Sequence, residues 1–139
     1  MKRITALLII VFMVTSLTTV AVGAYNVGDV IGYAQPTDII ATINGYQLKS
    51  YNVEGYTYIV AEDLRYYGMK VVYDDSTRTL GVYKDEAVTG INPPMTNANY
   101  WELGAPSTKK NILYTDIVTY VADNYVTSYN IDGATIIRF

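Results

Sequence analysis

The sequence contains neither cysteine nor histidine, and it has a single tryptophan. Without cysteine there is no disulfide and no thiol nucleophile, so an apolar core alone must hold the fold. Without histidine, the commonest metal ligand and the commonest general base are missing together. Basic residues number ten against thirteen acidic ones, a formal net charge of −3, and they form no cluster. That balance argues against nucleic acid as a partner and offers nothing to an anionic membrane surface.

The long apolar run is confined to the start. Lys2 and Arg3 precede "ALLIIVFMV" (Ala6 to Val14), the polar patch "TSLTT" follows, and "VAVGA" places Val22 and Ala24 at the small-residue positions of a cleavage site. This is the layout of a secretory signal peptide over residues 1–24, with the mature chain beginning near Tyr25. Thr15, Ser16, Thr18 and Thr19 keep the apolar core shorter than the roughly 20 residues of a spanning helix, so a membrane is met only if the signal segment stays uncleaved. The expected location is secreted or at the cell surface.

After a lead-in over 25–37, residues 38–85 are densely patterned. "DIIATING" reads as a strand ending in the turn formers Asn44-Gly45, "YQLKSYNV" as a second strand closed by Glu54-Gly55, and "YTYIV" as a third. In "AEDLRYYG" the period changes: Glu62 and Asp63 suit a helix start, and Gly68 suits its end. "MKVVYDD" and "TRTLGVYK" supply two more strands about the turn residues Asp74, Asp75 and Ser76. The expected fold class is α+β: a five-stranded antiparallel sheet in the order β-β-β-α-β-β, wrapped around one short helix and able to fold alone. Leu64 and Val71 are expected in its core.

Residues 86–112 hold three of the four prolines and read as a linker, with Tyr100 and Trp101 available to dock it. Residues 113–139 repeat the module. Setting Thr37 against Thr115 matches Thr37, Asp38, Ile39, Ser50, Tyr51, Asn52, Gly55, Thr57 and Ile59 with Thr115, Asp116, Ile117, Ser128, Tyr129, Asn130, Gly133, Thr135 and Ile137, without a gap. The copy is incomplete: a β-hairpin and the start of a third strand, with no counterpart of the helix and the last two strands. A lone hairpin is marginal in water and has an open edge. It is expected to dock on the first module of the same chain, with strand addition to another chain, and so self-association, as the alternative.

The framework "ATINGYQLKSYNVEGYTYIVAEDLRYYGMKVVYDDSTRTLGVYK" resembles the copper amine oxidase N-terminal-like domain, the stalk domain. The resemblance implies a five-stranded antiparallel sheet around a helix, in a secreted or surface-attached protein. It does not carry amine oxidase chemistry, which in that family belongs to a separate domain with three copper-binding histidines and a quinone-forming tyrosine in an Asn-Tyr-acid motif. Here the Asn-Tyr pairs continue to Trp101 and Val126, with no acid.

Other candidates for chemistry are weak. Glu62 and Asp63 are adjacent on a helix and point about 100° apart, so they serve a helix start better than an acid–base pair. Asp74 and Asp75 lack the spaced ligands of a calcium loop and read as a turn. "SYN" occurs in both copies; Asn organising the following Asp/Glu-Gly turn is preferred to ligand contact. No catalytic residue, metal ligand or cofactor is expected. Fifteen tyrosines remain. Tyr46, Tyr56, Tyr58, Tyr66, Tyr67 and Tyr100, with Trp101, are the candidate ligand contacts of an exposed aromatic platform. The chain thus reads as a non-catalytic interaction or scaffold module facing another extracellular protein. The alternative is a module that binds carbohydrate, such as cell-wall glycan, through surface tyrosines.

Overall fold

The structure is a computed structural model that describes residues 23–87 and 109–139. Most of the signal segment, most of the linker, Tyr100 and Trp101 lie outside the described residues. The remainder is sheet, mostly antiparallel, with one short 3-10 helix. The strands are β1 (Val30–Ala34), β2 (Ala41–Ile43), β3 (Tyr46–Leu48), β4 (Ser50–Val53), β5 (Tyr56–Val60), β6 (Met69–Asp74) and β7 (Thr79–Lys84). After residue 109 come β8 (Lys110–Leu113), β9 (Val118–Val121), β10 (Asn124–Val126), β11 (Ser128–Ile131) and β12 (Ala134–Arg138).

The turn signals and the two ends of the helix hold. Asn44 and Gly45 (φ 50° and 82°) and Glu54 and Gly55 (φ 51° and 85°) form tight turns of positive φ, as do Asp132 and Gly133. The 3-10 helix spans Glu62–Tyr67 and ends on Gly68 in the left-handed region, whose N–H bonds the Leu64 carbonyl.

The expected second strand, "YQLKSYNV", breaks at Lys49 into β3 and β4, and the six strands that result, in place of five in one sheet, are divided among three sheets, which corrects the single-sheet reading. β2 and β3 form a separate ribbon. β4 and β5 belong to a six-stranded antiparallel sheet in the order β1-β8-β11-β12-β5-β4. β6 and β7 belong to a four-stranded sheet, β10-β9-β7-β6, in which β7 and β9 run parallel. The lead-in supplies β1, and the end of the linker supplies most of β8. The reason is pairing between copies: each unit completes its sheets with strands of the other.

This exchange has a pseudo-twofold symmetry. In β1–β8, Tyr33 faces Asn111, its own counterpart in the repeat alignment extended backwards. In β5–β12, Ile59 faces Ile137, again its counterpart. Ala61 N–H bonds the Thr135 carbonyl at 2.8 Å, and Phe139 N–H bonds that of Thr57 at 2.9 Å, the same contact seen from the other unit. The six-stranded sheet curls until β4 meets β1 through the isolated Gln35–Asn52 bridge. Its counterpart is the single Leu113–Asn130 pair of β8 and β11.

Alternation along the barrel strands creates two cores. Ala34, Tyr51, Val53, Tyr58, Val60, Ile112, Ile131 and Ile136 fill the barrel. Ile59 and Ile137 point the other way, into a second core with Ala41, Leu48, Ala61, Leu64, Tyr67, Leu80 and Val82. Leu64 is buried as expected, and Val71 packs half-buried against this second core. The helix therefore covers the outside of the β5–β12 wall, beneath the ribbon on one side and the four-stranded sheet on the other.

Candidate functional site

The repeated polar residues act as fasteners. Asn52 Oδ1 accepts from Gly55 N–H at 3.0 Å, and Asn130 Oδ1 accepts from Gly133 N–H at 3.1 Å. Ser50 Oγ donates to the Ile39 carbonyl and Ser128 Oγ to that of Ile117, both at 3.2 Å. The "SYN" motif thus organises turns and ties β4 and β11 to the preceding segments. Asp74 Oδ1 accepts from Ser76 N–H and Oγ and from Thr77 N–H, closing the turn expected there. Glu62 does more than start a helix: its carboxylate accepts from Thr135 N–H at 3.0 and 3.1 Å, across the two units.

The expected tyrosine platform is not assembled as read. Tyr58 is 8 % exposed, its ring 5.8 Å from that of Tyr129 in the barrel. Tyr67 is 4 % exposed and donates its hydroxyl to the Gln47 carbonyl at 2.5 Å. Tyr58 alternates into the barrel and Tyr67 faces the second core from the helix, so neither can stack on a ligand. Tyr46, Tyr56 and Tyr66 are exposed, but they sit on the ribbon, the start of β5 and the helix, and no ring contact joins them among the described residues. The Arg138 guanidinium already lies 3.5 Å from the Tyr56 ring centre.

A different set of tyrosines does come together, on the outer face of the four-stranded sheet. In β7, Leu80 and Val82 point to the core, so Thr79, Gly81 and Tyr83 point out. Register places Val72 of β6, Gly81 of β7, Tyr120 of β9 and Tyr125 of β10 in one row across all four strands. Gly81 is the low point of that row. A β-carbon there would lie 2.5 Å from the Tyr83 ring, which folds over the glycine. Tyr120 and Tyr125 meet edge to face at 6.4 Å. The result is a groove of about 750 Å³, walled by Tyr83 and Tyr120 and edged by Lys70, Lys84, Asp74, Asp85 and Asp123.

These groove tyrosines had one legible signal: a glycine inside the strand "TLGVYK" with a tyrosine two residues on, on the same face. Tyr120 and Tyr125 carried none, because their strands reach β7 only through the parallel β7–β9 pairing between units. Next to the groove, Arg78 bonds Asp116 at 2.8 Å and Asp75 at 3.2 Å and also donates to the Tyr73 hydroxyl. The Arg78 guanidinium holds the Asp116 carboxyl below the usual carboxylate range.

Among the described residues, no three acidic, histidine or cysteine side chains converge as a metal site, and no helix is long and apolar enough to cross a membrane. No protein-family model, curated protein or solved structure matches this chain.

Proposed function

We propose that the chain is a non-catalytic interaction or scaffold module of a secreted or cell-surface protein, similar in kind to the amine oxidase stalk domain. The observation that supports this most is the row Val72–Gly81–Tyr120–Tyr125, with the Tyr83 ring folded over Gly81. It forms an elongated, shallow surface of aromatic faces with charges at its rim, suited to an extended segment of an extracellular protein rather than to a buried small substrate. Its walls are amphipathic tyrosine rings.

The carboxylates of Asp74, Asp85 and Asp123 around those rings favour a second reading, a glycan whose sugar faces stack on tyrosine while its hydroxyls bond the rim. One binding assay addresses both readings. Immobilised protein, wild type and Tyr120→Ala, is exposed to an extracellular protein fraction and to purified cell-wall polysaccharide. Retention of protein that is lost in Tyr120→Ala supports the first reading, and retention of polysaccharide with the same loss supports the second. Equal retention by both proteins removes the groove from the function.

A further inference from the structure

The hairpin turns Asn44-Gly45, Glu54-Gly55 and Asp132-Gly133 share positive φ at both positions but differ in chemistry. In the last two the glycine amide is engaged: Gly55 N–H bonds Asn52 Oδ1 at 3.0 Å, and Gly133 N–H bonds Asn130 Oδ1 at 3.1 Å. The Asp132 carboxylate is held in turn by Lys110 Nζ at 2.9 Å. Asn44-Gly45 has no such ties. Among the described residues, neither the Gly45 N–H nor the Asn44 carboxamide has a hydrogen-bond partner. Both residues are exposed, and a β-carbon on Gly45 would meet nothing within 4 Å. Asn-Gly occurs nowhere else in the chain. Asn52 and Asn130 precede the β-branched Val53 and Ile131 inside strands, where the next amide is shielded.

We propose that Asn44 is a site of spontaneous modification by water, in which its carboxamide is lost through a cyclic imide and the resulting isoaspartate releases the β2–β3 ribbon. The Gly45 amide nitrogen gives its proton to hydroxide or water and attacks the Asn44 side-chain carbonyl carbon. A C–N bond forms, and the side-chain nitrogen leaves with a proton as ammonia. Water then opens the imide. Cleavage at the side-chain carbonyl gives aspartate, and cleavage at the main-chain carbonyl gives isoaspartate. One water is consumed, one ammonia is released and no electron is transferred. Ring closure requires Asn44 to leave the turn conformation. The ribbon permits this, because it is a sheet of its own held by the pairs Ala41–Leu48, Thr42–Gln47 and Ile43–Tyr46, and a short hairpin opens at low cost.

Isoaspartate routes the main chain through its β-carbon, an extra backbone atom that a two-residue turn does not accommodate. The ribbon then loses the register its turn imposes. Ala41 and Leu48, 4 % and 6 % exposed, leave the second core, and the Gln47 carbonyl leaves the Tyr67 hydroxyl. The counterpart ribbon β9–β10 is spared. Its turn is Ala122-Asp123, with no carboxamide at the first position, and Ala122 N–H is bound to the Val82 carbonyl at 2.9 Å. The change is therefore confined to the first unit, and it does not involve the groove.

The test is a time course on the folded full chain held at mildly alkaline pH, followed by peptide mapping with fragmentation that separates aspartate from isoaspartate. Asn44 should be lost about tenfold or more faster than Asn52 or Asn130, with isoaspartate in the product. The form with isoaspartate at 44 is then isolated by its added negative charge and compared with the unmodified chain by amide hydrogen exchange over residues 41–48. Exchange should be faster in that form. The Asn44→Asp variant supplies the same charge without the extra backbone atom, tolerates the positive φ and should exchange like the unmodified chain. Loss at Asn44 no faster than at Asn52 or Asn130 would overturn the site. An isoaspartate form that exchanges like the unmodified chain would overturn the release of the ribbon, and equal loosening in Asn44→Asp would overturn the role of the backbone atom.

Discussion

Tyr51 and Arg78 show how single side chains tie acid and base stability to the packing. Burial in the barrel, reinforced by the nearby Asp132 carboxylate, pushes the Tyr51 hydroxyl up to about 12 from 10.0. A raised value means that the neutral form is favoured in the folded state. The stability this group contributes is therefore intact below its unfolded value near 10 and disappears as pH climbs through the folded one. Thermal melts should fall between pH 10 and 12, and Tyr51→Phe should flatten that decline. Asp116 and Asp74 behave in the opposite sense. The Arg78 guanidinium and the Ser76 hydroxyl, respectively, lower their values, so their contribution is present above about pH 4 and is lost as acid protonates them. Asp116→Asn should remove part of the acid sensitivity in the same melts. Gly81→Ala separates fold from groove. Its backbone needs no positive φ, and the clash is with the movable Tyr83 ring, so a stability loss of about 1 kcal/mol or less should accompany a clear shift in the Tyr83 ring resonances.

The elements that could be read from the sequence are those whose causes are local. Asn44-Gly45 and Glu54-Gly55 demand positive φ wherever they occur, and Glu62 through Gly68 carries both ends of its short helix. Leu64 was identifiable as core because it sits on the apolar side of that helix, and Leu64→Ala should cost about 2–5 kcal/mol in chemical denaturation. Sheet membership was not readable in the same way. β4 and β5 alternate like any half-buried hairpin, and nothing in "YTYIV" states that its other edge is filled by "ATIIR" nearly eighty residues on. Tyr58 illustrates the cost of that gap. Alternation correctly assigns it a face, but only the barrel closure decides that this face is inside. Tyr83 was within reach of the same reasoning through Gly81, whereas Tyr120 and Tyr125 required the parallel β7–β9 pair.

At the level of the whole molecule, neither unit has a complete sheet of its own among the described residues, and this pairing predicts that residues 38–85 do not fold alone. Deleting residues 113–139 removes β9, β10, β11 and β12. It strips Ile131 and Ile136 from the barrel and leaves Ile59 and Val82 without their facing strands. The remaining chain should show no cooperative melt and little amide protection at any temperature, a larger effect than the loss of a docked appendage. The same wiring has a kinetic side. β1 waits for β8, and β5 waits for β12, so the pairings that close the barrel span most of the polypeptide and are slow to form. A ribosome-bound chain that has emerged only as far as Ala87 holds half a barrel and remains open to protease. Synthesis of residues 110–139, which supply β8 to β12, is therefore the step that permits the barrel to close.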